Sequence, residues 1–148
     1  NGSFVRVPNS VAYIGGKNQK RTEYLSEGQV RSFKGDIIPP DNWKFFNAEA
    51  KSYADFQFHQ LFSDGVIPLL EGWINQTMEV ADDNDFNVIF MKFTRKGQYV
   101  CYPHTLEWET PHSTVYHSKN YGDWVFCGAE KFWELHYDRV KDVSINGV

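Results

Sequence analysis

The sequence predicts an α+β fold: a mainly antiparallel sheet, built from N-terminal strands and two C-terminal hairpins, covered by two central helices and a short C-terminal helix. Three observations predict it. Short alternating runs open the chain, apolar spacing then lengthens to three and four residues from Asn47 to Ala81, and a period of two returns from Asn87 onward. At 148 residues the chain has the length of one domain spanning 1–148, with no repeat, low-complexity tract or dividing linker.

"FVRVPNSVAYIGG" alternates like a strand pair broken at Pro8-Asn9, and the basic tip "GGKNQKR" follows. "QVRSFKGDII" reads as another strand, closed by Pro39-Pro40, whose rings bar regular pairing. From Asn47, "NAEAKSYADFQFHQLF" places Ala50, Tyr53, Ala54, Phe58, Leu61 and Phe62 at helical spacing, so a first helix is expected here. Ser63 or Asp64 would cap a second, "GVIPLLEGWINQTMEVA", with Pro68 in its first turn. "NVIFMKF" and "QYVCYP" then flank Gly97, and "STVYHS" and "DWVFCG" flank Gly122, each pair a hairpin. "AEKFWELHYDRV" is a short amphipathic helix, and "DVSIN" a last strand or tail.

The formal charge of −4 argues against a general polyanion binder, but the charges are segregated. Residues 1–34 carry six Lys or Arg against two acids, net +4; residues 35–91 carry two against ten, net −8; the remainder balances. The longest apolar run is far short of a membrane span, and no signal-like segment opens the chain. Compartment, organism and oligomeric state stay open. Five Trp, eight Tyr and twelve Phe are an unusual aromatic load, which suits recognition through stacking or a core built from rings.

"CYPHTLEWETPHSTVYH", Cys101 to His117, is the segment densest in reactive groups. Cys101, His104, His117 and Cys127 form the zinc set the spacing allows, although only the first pair has the tight spacing of a chelate. The two cysteines could instead bridge. Cys127, at a strand-to-helix turn, is the candidate nucleophile, with His112 or His117 as its base. Asp83, Asp85 and Asn87 open like a calcium loop, but the glycine and terminal glutamate are absent.

No catalytic set is complete, and binding needs none. The expectation is therefore a non-catalytic recognition domain that holds a protein or glycan partner, of the kind found among viral, phage and immunity-type accessory proteins. Its contacts would be Trp108, set mid-loop between Glu107 and Glu109, with His104, His112 and Trp43. The alternatives are a small Cys/His-dependent or zinc-dependent hydrolase, and a nucleic-acid binder using Lys17, Lys20 and Arg21. No cofactor is expected outside the zinc alternative.

Overall fold

In segment 46–53, two periodicities compete. The structure, a computed structural model, describes residues 39–148; the predicted N-terminal strands and the basic tip with Lys17, Lys20 and Arg21 lie outside the described residues. The first described strand, β1 (Phe46–Tyr53), occupies the start of the segment expected to be the first helix. The helical spacing at Ala50, Tyr53 and Ala54 coexists with an alternation in which Phe46, Ala48 and Ala50 fill one core cluster while Asn47, Glu49 and Lys51 take the opposite face. A parallel ladder with β2 (Phe86–Phe93), from Phe46↔Phe86 to Tyr53↔Phe93, gives the backbone its partner and decides for the strand. What remains of the expected helix is one 3₁₀ turn, Phe58–Phe62.

The second expected helix forms as α1 (Pro68–Glu79), with proline at its start, where a missing N–H costs nothing. It is the crossover that a parallel β1–β2 pair requires. Strands β3 (Gly97–Pro103), β4 (Thr114–Ser118) and β5 (Gly122–Gly128) complete the two predicted hairpins, and the sheet order is β1-β2-β3-β5-β4. All pairings except β1–β2 are antiparallel.

The last helix, α2 (Ala129–Asn146), is not short: its 18 residues absorb "DVSIN". The buried positions Phe132, His136, Val140 and Ser144 continue every fourth residue to the end, and Ser144 accepts a backbone bond from Phe45 at 2.9 Å. Gly147, at φ +92°, ends it in a conformation that disfavours a side chain. The described residues thus carry two helices, one on each face of the sheet.

Both sheet faces are filled by rings. Under α2, Phe90 stacks on Trp133 with centroids 5.5 Å apart; under α1, Phe56 stacks on Phe93 at 5.1 Å. This accounts for much of the aromatic load, and it corrects the reading of tryptophans as exposed anchors. Trp43, Trp73, Trp124 and Trp133 are buried, Trp43 against Phe46 and Tyr137. Among the described residues no helix is long and apolar enough to cross a membrane.

Candidate active site

The face of β1 turned towards α1 carries Asn47, Glu49 and Lys51 in a row, because successive strand residues alternate sides. Lys51 Nζ donates to Gln76 Oε1 on α1 at 2.7 Å. Asn47 Nδ2 donates to the Thr77 carbonyl at 3.0 Å and to Asn87 Oδ1 at 2.8 Å. Glu49 differs from both. It is 6% exposed, and its Oε1 is buried with no hydrogen-bond partner; Asn47 Oδ1, next along the same face, is likewise unpartnered.

Burial pushes the Glu49 carboxyl up to about 7, against the pull of the Lys51 ammonium. A buried carboxylate with an unpaired oxygen costs several kcal/mol by order of magnitude, which makes Glu49, beside a lysine, a candidate functional position. Glu71, on α1, supplies the contrast. Burial raises its pKa too, but donors on Tyr116 (2.7 Å) and Ser118 (2.9 Å) and the backbone N–H groups of Lys119 and Asn120 outweigh burial and hold the carboxyl below its usual range. Glu71 therefore acts as a structural clamp between α1 and the β4–β5 hairpin.

The described residues contain no group of three His, Cys, Asp or Glu side chains able to hold a metal. They do offer two unpartnered oxygens, from Glu49 and Asn47, which suit a hard cation. Magnesium is commonly held by one or two carboxylates, with water and substrate phosphates completing the shell, so this donor set fits it. It offers no histidine or cysteine, the ligands on which zinc sites are mainly built.

The residues proposed from sequence are dispersed. The register sets Cys101 opposite Phe126 and Cys127 opposite Val100, so the two thiols point to opposite faces, Cys101 under α1 and Cys127 under α2. Both are free and buried. Burial pushes Cys127 up to about 12 and Cys101 well above its ordinary value, the reverse of nucleophile activation. His117 is exposed on β4 and bonds Asp123 at 2.6 Å; His112 is exposed at φ +58°. His104, Glu107, Trp108 and Glu109 line a shallow groove of about 550 Å³ with Thr110 and Ser113.

Trp108 is half-buried, its ring stacked on His136 at 5.5 Å and tilted against Phe86 at 5.5 Å. A buried hydrogen-bond chain anchors this loop. Tyr102 donates its hydroxyl to the Trp108 carbonyl at 2.5 Å and lies 2.7 Å from Thr110 Oγ1, which is 2.8 Å from His136 Nε2. Arg139 donates to His136 Nδ1 at 3.3 Å. Burial, reinforced by Arg139, lowers the His136 pKa, against a backbone hydrogen bond at Glu109 that raises it. The dense segment noticed in the sequence is thus held as a fixed loop.

Sequence reasoning missed Glu49, Lys51 and Gln76, because a helix over 47–62 would turn Glu49 and Lys51 to opposite sides. The available signal was the alternation of Phe46, Ala48 and Ala50 with polar residues.

Residues 1–140 match the family described as "Phage putative PDDEXK endonuclease", and the chain belongs to that family. No curated protein and no solved structure matches it. This membership overturns the expectation of a non-catalytic recognition domain. It agrees with the phage part of that expectation, whereas the protein or glycan partner has no support from it.

Proposed function

We propose that this member of the PDDEXK endonuclease family is a magnesium-dependent nuclease that hydrolyses phosphodiester bonds at the β1 face carrying Glu49 and Lys51. The observation that carries the reading is the buried, unpartnered Glu49 Oε1 beside Lys51. The family's name ends in an acid, any residue and lysine, and Glu49-Ala50-Lys51 is the one such tripeptide in the chain. On a strand, that spacing brings acid and lysine to one side. Nucleic acid, ranked last from the overall charge, becomes the substrate class.

Magnesium at such a site neutralises phosphate charge and makes water a better nucleophile at neutral pH. Glu49 would hold it through the oxygen that has no other partner. Lys51 presents an ammonium two positions along the same face, where it can stabilise negative charge building on the phosphate oxygens in the transition state. Gln76, by accepting from Nζ, fixes the Lys51 rotamer before substrate arrives. A second carboxylate would come from ahead of β1. Pro40-Asp41, the one Pro-Asp pair in the chain, lies in the turn leading to the strand, with Asp41 exposed; Asp36 is outside the described residues.

The test is cleavage of supercoiled plasmid and of single-stranded DNA with Mg²⁺ or EDTA. Wild type should cut with Mg²⁺ alone, Glu49→Gln and Lys51→Ala should each lose at least about a hundredfold, consistent with loss of an electrostatic stabiliser, and Asp36→Asn or Asp41→Asn should identify the second acid. Cutting at the wild-type rate by both Glu49→Gln and Lys51→Ala would remove the proposal.

A further inference from the structure

The row on β1 continues past the lysine. Tyr53 lies two positions beyond Lys51 and four beyond Glu49 on the same face, about 7 Å and 13 Å along the strand. Tyr53 is 44% exposed, and its ring makes a T-shaped contact with Trp73, centroids 5.1 Å apart. Trp73 is itself buried, so Tyr53 is braced on one side and open on another.

The end of β1 also adjoins a turn that exposes a cation. The Tyr53 carbonyl accepts from Thr94 N at 3.1 Å, so the turn that carries Arg95 and Lys96 starts at the end of β1. Asp55 pairs with Lys96 at 2.5 Å, and Arg95 is exposed at the tip. In sequence these residues belong to a segment of balanced charge; of their cations, Lys92 lies on the sheet face opposite Lys51, Lys96 pairs with Asp55, and Arg95 is exposed at the turn that follows β2.

We infer that Tyr53 stacks on an unpaired base of the substrate next to the phosphate engaged by Lys51, with Arg95 contacting the backbone beyond it. This rests on the nuclease reading and deepens it, giving the enzyme a preference for single-stranded or locally opened nucleic acid over closed duplex. An exposed aromatic side chain in line with Lys51 suits that substrate, because every base has a π-face to offer while a closed duplex keeps its bases stacked on one another.

The experiment measures binding without catalysis: fluorescence anisotropy, in EDTA, of a labelled short oligothymidylate and of a labelled hairpin duplex. Tyr53→Ala should weaken oligothymidylate binding by about tenfold or more, in line with the loss of one base–aromatic stack, and leave the duplex within about twofold. Tyr53→Phe should bind both as wild type does. Arg95→Ala, at an exposed turn, should lower the slope of log affinity against log salt by about one. Unchanged oligothymidylate binding by Tyr53→Ala, an equal loss on the duplex, or an equal loss with Tyr53→Phe would each overturn the inference. Wild-type cleavage by both Glu49→Gln and Lys51→Ala would sink the nuclease reading separately, since the anisotropy measurement involves no cleavage.

Discussion

Glu49 and Lys51 stand two residues apart on one face of β1, and the structure treats them oppositely: Lys51 is satisfied by Gln76 at 2.7 Å, whereas Glu49 keeps a buried oxygen without a donor. A fold selected for stability alone would neutralise or pair that carboxylate. An unpartnered oxygen beside a positioned ammonium is what the proposed cation and phosphate site requires.

Glu49→Gln should therefore separate activity from stability. Cleavage falls by at least about a hundredfold, while the thermal midpoint at pH 8 stays level or rises, because the amide removes a buried charge that costs on the order of 1–3 kcal/mol. Thermal unfolding beside plasmid cleavage checks this, and a large drop in midpoint would mean that the carboxylate has a structural partner.

Gln76 touches Lys51 from the exposed side of α1, so removing it should disturb rate more than fold. Gln76→Ala should slow turnover by roughly tenfold, equivalent to about 1.4 kcal/mol of lost positioning. Stability should shift by no more than about 0.5 kcal/mol. Gln76→Glu retains an acceptor and should recover much of the rate; equal loss in both variants would show that the contact does not position Lys51.

Glu71 carries a pH signature. Its folded-state pKa lies below the ordinary 4.5, so the unfolded chain binds the proton first and stability falls as pH drops from that value through the folded one. Above that window the contribution is fully present. Glu71→Gln should cost about 2 kcal/mol at pH 7, where charged hydrogen bonds to Tyr116 and Ser118 are lost, and should flatten the acid limb of the profile. Urea unfolding between pH 3 and about 7 measures both.

The two thiols should be inert. Cys101 and Cys127 are buried, with pKa values raised by burial, so neither should react with a thiol reagent at pH 8 until the protein unfolds. Cys127→Ser should keep cleavage within about twofold and lose on the order of 1 kcal/mol of stability. Loss of cleavage in a folded Cys127→Ser protein would restore the thiol as a candidate nucleophile.

Local signals were legible wherever the partner was near in sequence. Gly97 and Gly122 marked both hairpins, Pro68 marked the start of α1, and the α+β class followed from the change of period. The segment 46–62 was not legible in the same way, because its apolar residues satisfy helical and strand spacing together. The arbiter, β2, lies some forty positions later, at Phe46↔Phe86. The length of α2 was misread for a related reason: Ser144 looks like a tail residue until its carbonyl meets Phe45.

The sequence by itself determined the fold class, the two hairpins, α1 and the aromatic supply of the core, since these rest on spacing and turn chemistry within a few residues. The tertiary structure decided that Glu49 and Lys51 share a face, that Cys101 and Cys127 do not, and that the dense loop at Pro103–Thr110 is anchored by Tyr102 and His136. The physical reason is that burial and satisfaction are properties of a neighbourhood. Glu49 and Glu71 are the same residue type, and only the donors brought to one and withheld from an oxygen of the other separate the candidate site from the scaffold.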